Sequence, residues 1–432
     1  MPTVTIIGGG SAKFVRELVV DFFSFDELAN LELRLMDVSA ERVDRSKRLV
    51  QKIIADRKLS ARVWATTDQR RALDGADYVI ITIMVGGYEH YRTDVAIPAE
   101  YGVYQAISDT TGPGAVMRII RTAPVLRKIA ADLAELAPQA WILNYANPMS
   151  MNVWTLLDAG HARTVGLCHS IQGCLIHQIG PWLGIPYEQF EYAAGGINHI
   201  NFYLKLRHKG QDVYPRLLAE RDRLVKAMPM ERARFELLEH LGHFPAEGPW
   251  HQVEYYPWFH KNQKAVDHYA VGAFKGYEVD FENFKARSAE IDAQIAGKTP
   301  IDYHRSTEYG VPIIHSLHTG QTRTFYGNVR NGDLINNLPA SAIAEVPCLV
   351  DRNGIFPCRV GAIPPQLAAV MRPHVAVQQL AVAAVQRKDR RLVERAIAAD
   401  PLAGSILTLP QIRDMTAQLL AENADYVADW PG

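Results

Sequence analysis

No stretch of the 432-residue chain approaches the ~20 consecutive apolar residues of a membrane-spanning helix, so no membrane partner is expected. Cysteine is scarce. The 4 present, Cys168, Cys174, Cys348 and Cys358, have neither the density of a disulfide scaffold nor a C-x-x-C spacing, which suits a reducing compartment. An excess of one charge is also missing. A formal net charge of −1, with acidic and basic residues evenly scattered, leaves no basic stripe for nucleic acid and no acidic tail. The first residues, Met1 to Ile7, enter a strand directly without the basic and apolar regions of a signal peptide, so a cytoplasmic location is expected. What remains is a small-molecule ligand.

The 48% hydrophobic and 22% charged composition is that of ordinary globular domains. Over residues 1–195, short apolar runs alternate with helical patterns. Val4 to Ile7, Leu31 to Met36, Tyr78 to Ile83, Trp141 to Asn144 and Thr164 to Leu167 read as strands, which predicts an α/β class with a Rossmann-type, doubly wound parallel sheet. Val116, Ile119, Ile120, Ala123, Leu126, Ile129, Ala130, Leu133 and Leu136 share one face at helical spacing, and Pro138 follows the end of that helix. Residues 196–432 are expected to form a second domain for catalysis, substrate binding and oligomerisation. It includes a charged helical run from Tyr214 to His240, helix plus a mobile loop from Lys275 to Pro312, and helix formers from Leu367 to Ala399.

Gly8, Gly9, Gly10 and Ser11 lie between an apolar strand and a helical pattern, where glycines permit a tight turn and close approach to a pyrophosphate at a helix N-terminus. Asp37 ends the second strand, placed to bind the ribose hydroxyls of NAD and to repel the extra phosphate of NADP. Gly86, in the turn after the third strand, would let the backbone run close to the same cofactor.

Cys168 follows the apolar run Val165-Gly166-Leu167, at a strand's C-terminal end, and His199 ends a Gly-rich turn. A buried cysteine or histidine on its own is ordinary core material. Together they can form half of a metal site, with coordination left over for substrate oxygens and water.

The ordered motifs GGGS, LMD, GGYE, SDTTGPG, NYANP, GLCHS, GINH, EYYPWF and GNVRN span nearly the whole chain, which resembles family 4 of the glycoside hydrolases, nearest in motifs to its bacterial α-galactosidases. The resemblance implies a C-terminal α+β domain of lactate/malate dehydrogenase-like type and a homo-oligomer, dimer or tetramer. It also implies redox-neutral, NAD-dependent cleavage of an α-glycoside without the usual carboxylate pair. The sugar is oxidised at C3, loses its C2 proton, eliminates the C1 oxygen, adds water and is reduced again.

On the same resemblance Cys168 and His199 match the metal ligands. The ion is Mn²⁺ or another divalent metal, although thiolate and imidazole alone would suit zinc or iron. Tyr255 matches the base for the C2 proton, with Tyr256 as the alternative. Asn147 matches a position near sugar and nicotinamide. Asp109 and Arg118 flank Thr-Thr-Gly-Pro-Gly within reach of sugar hydroxyls or the leaving oxygen; Asn198 and His169 adjoin the ligands and are placed to contact the sugar, with His169 to assist the leaving group. Trp250 stands where the α-galactosidases carry a glutamate, exchanging a carboxylate for an indole that can face a pyranose or an anionic sugar.

An α-glucuronide or another acidic α-glycoside is the second reading of the substrate. A 2-hydroxyacid dehydrogenase of the lactate and malate type is a rival, since Gly112 to Arg118 faintly resembles its mobile loop. The chain lacks the Asp-x-x-Arg and downstream Gly-x-His-Gly that such an enzyme needs. A non-catalytic NAD-binding regulator would need none of Cys168, His199 and Tyr255.

Overall fold

Six parallel strands open the sheet: β1 (Thr3–Ile7), β2 (Glu32–Met36), β3 (Arg62–Thr66), β4 (Tyr78–Ile81), β5 (Trp141–Asn144) and β6 (Thr164–Gly166). They lie in the order β3-β2-β1-β4-β5-β6, the doubly wound arrangement expected from the alternating pattern. The computed structural model describes residues 1–12, 14–272 and 274–431. All four residues of β4 are buried because helices cover both faces of the sheet. Strand β3 was not expected from the sequence. Its residues are half-buried or exposed at the sheet edge, so they carry no continuous apolar run.

The long helix spans Gly112–Leu136 and buries its apolar face from Val116 to Leu133. It begins a turn before that stripe, at Gly112 with φ +80°, and ends before Pro138. Its N-terminal half is buried on nearly every side, which puts the preceding loop, 101–111, deep in the molecule.

The second half adds antiparallel strands β7 (Phe190–Ile197), β8 (Ile200–His208), β9 (Gln211–Asp212), β10 (Arg323–Arg330), β11 (Ile343–Asp351) and β12 (Gly354–Pro357). Asn328 of β10 pairs with Gly166 of β6, and Glu345 of β11 pairs with Gly196 of β7, so one 12-stranded sheet runs through both halves. The division expected at 195 falls inside β7.

Three other expectations change in detail. The charged run from Tyr214 is three helices, Tyr214–Ala219, Arg221–Ala227 and Arg232–Leu241, with Pro229 in the break before the last. Residues 275–312 contain the helix Lys275–Ile295, and the loop after it is tied down: Ser306 N donates to Asp21 Oδ1 at 2.7 Å and the Arg305 guanidinium lies 4.2 Å from the Phe25 ring centre. Residues 367–399 divide into Pro365–Arg387 and Arg390–Ala398.

Candidate active site

The turn after β1 is shaped by two glycines. Gly8 has φ +90°, and a Cβ there would lie 2.8 Å from the Thr82 backbone. A Cβ on Gly10 would lie 2.8 Å from Asp37 Oδ2, the atom to which Gly10 N donates at 3.0 Å. Ser11 Oγ accepts from Phe14 N at 3.3 Å, at the start of the next helix. Asp37 Oδ1 accepts from Ser39 N and pairs with Arg42, both at 3.0 Å. Gly86, also at φ +90°, opens the helix Gly87–Glu100. Bare glycine backbone, a helix start and a buried strand-end carboxylate together fit a dinucleotide.

Cys168 leaves β6 at the same edge of the sheet. His199 comes from the two-residue turn between β7 and β8, where Ile197 pairs with Ile200. Its φ is +64°, a conformation that glycine or asparagine would take more cheaply, so the imidazole has a reason to be there. His199 Nε2 lies 3.4 Å from Glu247 Oε2, and Cys168 Sγ lies 3.9 Å from the same oxygen. The three donor atoms stand within 4.8 Å of one another, in the interior. A second triad, Asp109, His199 and His251, is equally close and shares His199.

Burial pushes the Cys168 thiol well above its usual range, and the Glu247 and Glu345 carboxylates push it further. A cation between the same groups acts the other way, as thiolate ligation requires. Thiolate, imidazole and carboxylate together are a donor set for a divalent transition-metal ion.

Tyr255 is fully buried on the helix Pro249–Tyr255. Its hydroxyl lies 2.7 Å from His251 Nδ1 and 3.4 Å from His199 Nδ1. Burial raises the Tyr255 pKa well above 10.0, with the Glu254 and Asp109 carboxylates adding to it. For His251, burial opposes protonation but is outweighed by Glu254, Glu247 and Asp109, and its pKa rises to about 9. A protonated His251 can therefore donate to the Tyr255 oxygen. The buried hydroxyl of Tyr256 has no hydrogen-bond partner among the described residues, and its ring stacks on Trp258 with centres 5.3 Å apart.

Asp109 closes the group from the opposite side. Its Oδ2 accepts from Asn147 Nδ2 at 2.7 Å, its Oδ1 accepts from Thr110 Oγ1 at 2.8 Å and lies 4.0 Å from His251 Nδ1. Burial works against its charge, yet His251, His199 and Arg118 prevail and lower its pKa to about 2. Asn198 is buried with both side-chain polar atoms unpartnered among the described residues, as is Asn147 Oδ1. Arg118 is buried against Tyr91, 4.1 Å from the ring centre; its Nε and one terminal nitrogen lack a hydrogen bond, Asp94 being 3.8 Å away. Such groups are costly unless a ligand completes them.

His169 is half-exposed, with Nδ1 3.0 Å from Glu308 Oε1, and its charge bears on both His199 and Glu247. Trp250 is half-buried on the first turn of the Tyr255 helix. Glu247, three residues before Trp250, lies with Cys168 and His199. Glu247, Thr110, His251 and Glu254 were not singled out from the sequence. His251 sits four residues before Tyr255 and three before Glu254, helical spacings that bring it beside each of them.

A model of the family 4 glycosyl hydrolases matches residues 3–179, and a model of that family's C-terminal domain matches residues 194–403. The chain belongs to family 4 of the glycosyl hydrolases. An α-galactosidase of Bacillus subtilis is 33% identical over 440 residues, all of both chains. An α-galacturonidase of Lachnoclostridium phytofermentans is 27% identical, over 98% of this chain and 96% of its own. A solved 6-phospho-α-glucosidase from gut microorganisms, in complex with NAD and Mn²⁺, has a TM-score of 0.84 at 19% identity and covers 100% of this chain and 99% of its own. Family 4 membership makes this protein a glycosidase and removes the hydroxyacid dehydrogenase and the regulator as readings.

Proposed function

We propose that this family 4 enzyme hydrolyses α-glycosides, α-galactosides first, with NAD and Mn²⁺ as cofactors. The observation that carries this reading is the meeting of Cys168, His199 and Glu247 with Tyr255 in one buried group, 3.4 Å separating His199 from each of the last two. The full-length likeness to an α-galactosidase supports the sugar. When bound, NAD supplies a reversible hydride acceptor and Mn²⁺ a Lewis acid for the sugar oxygens.

Gly8, Gly10, Ser11, Asp37 and Gly86 would hold the dinucleotide, and Cys168 and His199, joined by Glu247, the ion. Tyr255 takes the C2 proton. Its burial resists the phenolate, and His251, 2.7 Å away and charged, offsets that resistance. Asp109, held on Asn147, accepts from sugar hydroxyls, while the unpartnered amide of Asn198 both donates and accepts. His169, at the exposed side and paired with Glu308, protonates the leaving oxygen.

Two guanidinium nitrogens of Arg118, Nε and one terminal nitrogen, make no hydrogen bond among the described residues, which favours a second reading, an acidic α-glycoside whose carboxylate they would pair. Trp250 would then offer its indole to the ring. The test is turnover of aryl α-galactoside, α-galacturonide and α-glucuronide by wild type, Arg118→Lys and Trp250→Glu, with NAD, Mn²⁺ and a thiol reductant. Cleavage of the acidic glycosides alone overturns the first choice. The four free cysteines, one of them in the proposed donor set, support a reducing, cytoplasmic setting. A dimer or tetramer, expected from the family, is checked by light scattering on the purified protein.

A further inference from the structure

Loop 101–111 has no regular structure, so its buried amides must find acceptors outside any ladder. Ile107 N donates to Glu254 Oε2 at 3.0 Å, and Ser108 N donates to the same oxygen at 3.1 Å and to Oε1 at 3.3 Å. Ser108 is held at φ +57°, a conformation serine seldom adopts, and Asp109 and Thr110 follow directly. Glu254 itself is 1% exposed, and its Oε1 also lies 3.4 Å from His251 Nδ1. One carboxylate thus grips the loop carrying Asp109 while standing on the helix that carries His251 and Tyr255.

We propose that Glu254 is a positioning residue, which sets the Asp109–Thr110 segment at its working distance from Tyr255 and His251. The inference rests on the reading of Asp109 and Tyr255 as groups that meet the substrate. Its physical content is geometric. Two amide donors converging on one carboxylate fix the loop in the direction that decides the 4.0 Å separation of Asp109 from His251.

Two conservative variants separate placement from charge. Glu254→Gln keeps an oxygen at the same reach, whereas Glu254→Asp keeps the charge but withdraws it by one C–C bond, about 1.5 Å. The expected result is kcat about 100-fold lower for Glu254→Asp with KM little changed; Glu254→Gln also loses kcat, because it removes a charge that favours protonated His251, but that loss moves with pH while the loss in Glu254→Asp does not. Amide hydrogen exchange at Ile107 and Ser108 should quicken in the Asp variant and not in the Gln variant, a readout independent of turnover.

Because Glu254 acts through Asp109, Asp109→Ala combined with Glu254→Asp should be no worse than Asp109→Ala alone, within about twofold. Wild-type kcat in Glu254→Asp, amide exchange at Ile107 and Ser108 unchanged in Glu254→Asp, or losses that multiply in the double variant each overturn the inference. Asp109→Ala at wild-type rate overturns it together with the role given to Asp109. An impaired Asp109→Ala beside a normal Glu254→Asp overturns the inference alone.

Discussion

Thr110 Oγ1 stands between His199 Nδ1, at 2.6 Å, and Asp109 Oδ1, at 2.8 Å, and this order decides which nitrogen of His199 carries its proton. The Asp109 carboxylate, lowered to about 2, only accepts, so Thr110 donates to it and must accept from His199 Nδ1–H. Nε2 is left bare on the side of Glu247 and Cys168, as an imidazole ligand requires.

Thr110→Val therefore removes the acceptor that holds this tautomer. Mn²⁺ should bind about 10- to 100-fold more weakly, measured as free Mn²⁺ by electron paramagnetic resonance, and Thr110→Ser should restore it. Unchanged Mn²⁺ affinity in Thr110→Val would show that Nε2 is not a ligand.

In heavy water, product should carry deuterium at C2, and Tyr255→Phe should slow its appearance by about 10²- to 10⁴-fold. Tyr256→Phe should leave the rate near wild type, since among the described residues its hydroxyl makes no hydrogen bond to His251 or His199, whereas that of Tyr255 lies 2.7 Å from His251. Product that keeps its C2 hydrogen rules out proton removal by either tyrosine.

Glu345 is wholly buried, accepts from Asn328 Nδ2 at 3.3 Å and from Asn201, and burial raises its pKa from 4.5 to about 8. Between those values the folded chain holds a proton that the unfolded chain has released, so stability falls as pH rises through that window. Glu345→Gln has no proton to lose. Its melting temperature, measured with chelator present, should gain on wild type steadily from pH 5 to pH 8. A gap independent of pH contradicts the neutral carboxyl.

Asp37 neutralises Arg42 at 3.0 Å beside the expected ribose site. Asp37→Ser frees that guanidinium while keeping an acceptor for Gly10 N. The preference for NAD over NADP, read from the two dissociation constants, should move toward NADP by about tenfold, the worth of roughly one charge contact. An unmoved ratio removes Asp37 and Arg42 from cofactor choice.

The parts of this molecule legible in its sequence are those written locally. Gly8 to Ser11 follow a strand and precede a helix, and Cys168 ends an apolar run, so each declares its surroundings within a few residues. Strand β3 did not, because an edge strand open to solvent needs no apolar run. Glu247 escaped for another reason. Nothing in the residues around Glu247 marks it as lying beside Cys168 and His199, distant in the chain, and only the fold brings them together. Thr110 and Glu254 act on His199 and Ile107, far away in the chain, and no spacing rule connects them. The break at Pro229 was visible, but the charged periodicity on either side of it reads as one helix.

The seam between β6 and β10 bears on whether the two halves can stand apart. Gly166 faces Asn328 there, and a Cβ on Gly166 would come within 3.0 Å of Asn328, Val153 and Met149. Cutting along this seam would strip both strands of a partner and open their edges to aggregation. An isolated N-terminal half should therefore aggregate where the whole chain, with its strand edges paired, does not.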